Sequence, residues 1–286
     1  MNYKITTSLN TQRFPTALMI AFCTALVTFS PRALADPPAG QDKPTIVLVH
    51  GAFAESSSWN SVVSRLLKSG YPVVAAANPL RGVEIDSKYV SSIFQSIKGP
   101  VVAVGHSYGG SVITVAATGN SNVKALVYVA GFAPDVGESI DSISAQFTGS
   151  TLGPTLAVPV LLPDGGKDLY IQQDKFHAQF AADVPEADAK IMAATQRPVT
   201  ESAIHDHAMS AAWKTIPSWF IFGTMDKNIT EAAHIFMAQR AESKETVDVK
   251  GASHVVMVSH PDAVVALIKK AAASIIDAPT AKTSAQ

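Results

Sequence analysis

The stretch Gly105-His106-Ser107-Tyr108-Gly109 sets a serine between small residues. A serine attacks carbonyl carbon once a base takes its proton and a carboxylate orients that base. A G-x-S-x-G pentapeptide arises by chance on the order of once in ten chains of this length, so its surroundings must decide. It follows the β-branched run Val101–Val104 and precedes the helix-forming Gly110–Ala117. In a sharp strand-to-helix turn the glycines make room beside the serine. The Tyr108 amide, at the helix start, is then free to bind an oxyanion. The base is expected downstream, where His254 in Gly251-Ala252-Ser253-His254 follows the run Thr246–Val249. The orienting acid is expected after the preceding strand, where Asp226 ends Gly223-Thr224-Met225-Asp226. Ser, Asp, His is the chain order of a hydrolase on a parallel α/β sheet. A second oxyanion amide is expected from the loop after the first strand, His50-Gly51-Ala52-Phe53, with Gly51 permitting close approach and Ala52 supplying the N–H.

Other residues compete for these roles. Asp135 also follows a strand and stands as an alternative acid. His106 adjoins the serine, but consecutive side chains diverge at a turn, which makes it a poor base. His205-Asp206-His207 has the composition of a metal cluster, yet i and i+2 side chains diverge on a helix. These three are expected on a solvent-facing or lid segment, with no metal site. His177 and His234 are expected on helix surfaces.

Positioning such a set requires alternating strands and helices. Strands are predicted at Thr45–Val49, Pro72–Ala76, Val101–Val104, Ala125–Ala130, Ser218–Phe222 and Thr246–Val249. Helices are predicted at Trp59–Lys68, Lys88–Ile97, Gly110–Ala117, Glu231–Ala241 and Pro261–Ile276. The pattern is that of βα units on a mainly parallel sheet. Ser259 and Asp262 read as a capping box that opens the last helix. Between about 134 and 215 the alternation breaks into a proline-rich stretch without strand pattern, carrying helical pieces at Asp174–Ala182 and Glu186–Ala194. An insertion leaving a strand C-terminus is placed to roof a ligand, because ligands of open α/β sheets sit there. A helical lid is therefore expected.

Of the 286 residues, 47% are hydrophobic and 16% charged, the composition of a packed globular enzyme. The formal charge of −1 and the absence of a polybasic block exclude nucleic acid and anionic membrane surfaces as natural partners. Residues 1–35 read as a signal peptide: Lys4 and Arg13, the apolar Thr16–Ser30, then Ala33-Leu34-Ala35 before Asp36. Export to the periplasm or medium without a stable membrane anchor is the expectation, since the apolar run is short for a bilayer span. Removal takes Lys4, Arg13 and Arg32; the 22 basic residues less these three leave 19 against 23 acidic. The single cysteine, Cys23, leaves with the segment, so the mature 36–286 domain would carry no thiol or disulfide.

From about Thr45 to Ile276 the chain resembles the α/β-hydrolase family. It is most similar to the small esterases related to plant methyl esterases and hydroxynitrile lyases, through LVHGAFAESSSW, VGHSYGG and GTMDKNI. The resemblance implies an α/β-hydrolase fold with a lid inserted between strands. It also implies Ser107 as nucleophile, His254 as base, Asp226 as orienter, and Ala52 and Tyr108 as oxyanion amides. The lyase branch carries a threonine after the HG-loop histidine and a lysine after the catalytic histidine, where this chain has Gly51 and Val255. Hydrolysis of a small, apolar carboxylic ester follows, without metal or organic cofactor. A lyase, a cofactor-free oxygenase and a slow ligand-binding relative are the alternatives. Phe53, Phe132 and Trp213 are expected substrate contacts, and Tyr108, Tyr170, Phe176, Phe180 and Met192 further candidates for apolar wall.

Overall fold

A computed structural model describes residues 43–276; the expected signal peptide, Cys23 and the tail from 277 lie outside them. Strands β1 (Thr45–Val49), β2 (Val73–Ala76), β3 (Val101–His106) and β4 (Val123–Val129) are joined by β8 (Ser218–Gly223) and β9 (Thr246–Val249). They form one sheet of order β2-β1-β3-β4-β8-β9, every pair parallel. The central strands β3 and β8 are buried at every position, whereas the edge strands β2 and β9 are half exposed. Continuous apolar runs instead of alternating ones follow from cover on both faces.

Five helices supply that cover: α1 (Asn60–Lys68), α2 (Val83–Ser96), α3 (Tyr108–Ala116), α8 (Glu231–Arg240) and α10 (Pro261–Ile276). Strand order reverses after β2, and right-handed crossovers then put α1 and α2 on opposite faces. α10 packs with α1, and α3 packs with α2. α2 begins five residues earlier than expected, because the Asp86 carboxylate folds back to accept the Arg81 amide. The expected capping box does not open α10. Ser259 instead ends the short α9 (Val256–Ser259), its Oγ hydrogen-bonds the His260 ring, and Asp262 pairs with Arg65 at 2.6 Å.

The segment from 130 to 217 forms a cap over the C-terminal ends of the strands. It holds helices α4 (Ile140–Gln146), α5 (Gln173–Phe180), α6 (Glu186–Thr195) and α7 (Glu201–His205). It is not purely helical, as the sequence suggested. Strands β5 (Val160–Leu161), β6 (Lys167–Leu169) and β7 (Val199–Thr200) pair antiparallel within it. Strands of two or three residues are too short to show a period of two. Among the described residues no helix is long and apolar enough to cross a membrane.

Candidate active site

Ser107 stands at the junction of β3 and α3 with φ 51° and ψ −123°, a conformation disfavoured for a residue bearing a Cβ. The junction can turn so sharply because glycines pack around it. A Cβ on Gly105 would lie 2.5 Å from the Gly109 carbonyl oxygen, and one on Gly51 would lie 2.6 Å from Ser107 Cβ. The HG loop and the serine turn thus touch through glycine. Ala52, in that loop, and Tyr108, the first residue of α3, both line the cavity beside Ser107. Among the described residues neither amide is taken by a backbone or side-chain acceptor. Two unspent N–H groups beside a hydroxyl suit a developing oxyanion.

Asp226 sits in the loop after β8, its side chain fully buried. Oδ1 accepts the amides of Asn228 (2.8 Å) and Ile229 (3.0 Å), which fixes the carboxylate plane. Oδ2 accepts His254 Nδ1–H at 2.7 Å. Burial alone would raise the acid, but the His254 charge and the hydrogen bonds from His234 and His254 outweigh it and hold the carboxyl well below the usual range. His254 follows β9 and is buried between Phe180 and His106, whose ring centroids lie 5.0 and 4.8 Å away. Its Nε2 has no partner among the described residues, and His254 lines the same cavity as Ser107. Nucleophile, base and acid candidates are therefore brought to one place.

The competitors go elsewhere. Asp135 pairs with Lys214 at 2.5 Å, away from His254. The His106 ring donates through Nε2 to the His254 carbonyl at 3.1 Å, with burial holding it neutral, so it buttresses the His254 loop. His50 is also buried; desolvation lowers its pKa to about 4 although its ring donates to the Gly51 carbonyl. His205, Asp206 and His207 diverge to Asp141, to the Val83 amide and to the Gly137 carbonyl. Half-buried His177 donates to the Val184 carbonyl.

One histidine departs from expectation most. His234 is not on the surface of α8 but 1% exposed, its Nε2–H donating to Asp226 Oδ2 at 3.1 Å and its ring stacked on Phe222. The sequence carried a signal for this, because His234, Met237, Ala238 and Ala241 make an i, i+3, i+4, i+7 stripe that is buried throughout.

The cavity encloses about 280 Å³. The sheet side contributes Ala52, Phe53, Ser107, Tyr108 and His254, and the segment from 130 to 217 adds Phe132, Leu152, Leu156, Leu169, Phe180 and Ile204. Phe53 and Phe132 thus stand where expected. Trp213 does not: its indole N–H donates to the Pro134 carbonyl at 2.8 Å, and its ring lies under Arg240 and Lys214. Of the further candidates, Tyr108 and Phe180 line the cavity, Met192 borders a separate surface pocket, and Phe176 packs behind Phe180. Tyr170 lies away from the cavity lining.

The cap is bonded to both loops that carry the acid and the base. Gln179 of α5 accepts from Thr151 (2.8 Å) and donates to the Lys227 carbonyl and Asn228 Oδ1 (both 3.0 Å), beside Asp226. Ser253, beside His254, donates to the Asp183 carboxylate of the cap.

Comparison with known proteins gives a consistent result. The profile of the alpha/beta hydrolase family matches residues 46–267. An alpha/beta hydrolase, nvfD, of Aspergillus novofumigatus is 28% identical over 257 residues, 82% of this chain and 99% of its own length. The crystal structure of polyneuridine aldehyde esterase superposes with a TM-score of 0.69 at 18% identity, covering 80% of this chain and 99% of that one. That of a pyrethroid hydrolase from Sphingobium faniae gives 0.64 at 19%, covering 82% and 98%.

Proposed function

The chain belongs to the alpha/beta hydrolase family, and from that premise we propose that it is a serine esterase acting on small, apolar carboxylic esters through Ser107, His254 and Asp226. One observation carries the reading: the buried Asp226–His254 pair, 2.7 Å apart, leaves His254 Nε2 unpartnered beside a mostly apolar cavity that His254 shares with a serine in a strained turn.

His254 Nε2 takes the Ser107 proton as Oγ attacks the ester carbonyl. The new oxyanion is received by the Ala52 and Tyr108 amides, each contributing roughly 3 kcal/mol to the transition state. His254 returns the proton to the departing alcohol, and a water molecule repeats the sequence on the acyl-enzyme. Asp226 stays ionised and holds His254 with Nδ1 protonated. The Ser107–His254 contact closes when substrate is seated, as catalytic hydrogen bonds commonly tighten in the complex. A cavity of about 280 Å³ lies just under the span of drug-sized sites, roughly 300–1,000 Å³, which favours short acyl and alcohol groups. The names of a pyrethroid hydrolase among the similar structures and a carbendazim hydrolyzing esterase of Nocardioides among the similar sequences agree with an ester substrate.

Chromogenic esters of graded acyl length, offered to the purified chain, test this. Hydrolysis with an initial burst is expected, and Ser107→Ala should abolish both. Undiminished hydrolysis by that variant would overturn the assignment. Export is part of the proposal, and an exported form beginning at Asp36 is its expected product, read by N-terminal sequencing.

A further inference from the structure

Asp226 receives two imidazoles on one oxygen. His254 donates to Oδ2 at 2.7 Å and His234 at 3.1 Å, while the amides of Asn228 and Ile229 occupy Oδ1. Of the two, only His254 lines the cavity; His234 comes from α8, and the acyl-transfer steps make no use of it. We propose that His234 is a positioning residue for the acid: by sharing Oδ2 with His254 it fixes the carboxylate and weakens its hold on the base's proton. The proposal rests on the assignment of Asp226 and His254 made above.

The geometry demands one protonation pattern. A carboxylate only accepts, so the His234 nitrogen at 3.1 Å must carry hydrogen. Flat stacking on Phe222, with rings 4.7 Å apart at 7°, holds the imidazole edge toward Asp226. Negative charge spent on His234 is unavailable to His254 in its charged form, so removing the donor should make His254 a stronger base. The other titratable groups around the pair are His106 against the His254 ring, His50 near His106, and Asp183 and His260 beside Ser253.

The test uses the full chain as wild type, His234→Phe, which keeps the stack without the donor, and His234→Gln, which restores an N–H. Histidine-labelled ¹⁵N NMR titration gives the midpoint of His254 and the tautomer of His234, and kcat/KM against pH gives the acidic limb. His234→Phe should move both the midpoint and the limb upward by about one pH unit with KM unchanged, and His234→Gln should move them back. An unshifted midpoint in folded His234→Phe would overturn the proposal. So would wild-type His234 with a bare Nε2 at neutral pH, a reading that needs no variant to fold. Absence of ester turnover in the wild type would sink the esterase reading alone, because the NMR readings require none.

Discussion

The sheet body and the cap meet at one cavity but are built by different means. In the body, position is set by backbone: fully buried parallel strands, glycines at van der Waals limit, and a serine locked at positive φ. In the cap, elements are short, and side chains add to a few backbone ties such as Thr151 N–H to the Lys227 carbonyl and Thr200 N–H to the Leu80 carbonyl. Arg81 of the body reaches Asp168 of β6 at 2.6 Å, Arg240 of α8 reaches Glu138 at 2.7 Å, and Gln179 reaches the acid loop. The body therefore holds the candidate catalytic residues in places that tolerate little change. The cap supplies shape, through apolar residues such as Leu152 and Leu156 that can be exchanged.

The sharpest break of this contrast is Asp226→Asn. It should lower kcat about 10⁴-fold at neutral pH with little change in KM; a loss under tenfold would remove Asp226 from the machinery. Smaller is the acid sensitivity of the body. His50 is held neutral, with a folded pKa of about 4 against 6.5 unfolded. A lowered histidine gives stability that is complete above the unfolded value and lost as pH falls, because the unfolded chain takes the proton first. His50 alone should cost about 3 kcal/mol between pH 6.5 and 4, measured by urea unfolding, and His50→Gln should flatten that decline. Buried His106 acts in the same direction. Equal pH slopes in the two proteins would contradict this. Smallest is Gln179→Leu in the cap, which severs three hydrogen bonds. It should cost about 2 kcal/mol, or roughly 4–8 °C in Tm, and leave most of kcat. If kcat instead fell as far as in Asp226→Asn, the division between body and cap would fail.

The body was legible in the sequence for the same reason that it is rigid. Val101–Val104 and Ser218–Phe222 read as strands because both faces are covered, and α10 runs over Pro261–Ile276 as predicted. The placing of Asp226 and His254 in loops after β8 and β9 needed only chain order. Three features escaped for physical reasons. Strands β5 and β6 pair locally but are only two and three residues long, and β7 is held by Asp168–Thr200 and Leu169–Val199 pairs that no local window contains. Residue type marks Trp213 as an apolar ring for the cavity, but its N–H has a carbonyl to satisfy at Pro134. His234 was read by residue type, although its place in a buried stripe said otherwise.

The ties from Gln179 to the Asp226 loop and from Asp183 to Ser253 carry a consequence for timing. Lifting the cap as a body would strip the acid and the base of their outer support together. Opening the cap would therefore loosen, at the same moment, the two loops that hold the acid and base candidates, a change that Gln179→Leu reproduces only in part. A substrate small enough to pass between individual side chains, which move in nanoseconds, would leave those ties in place.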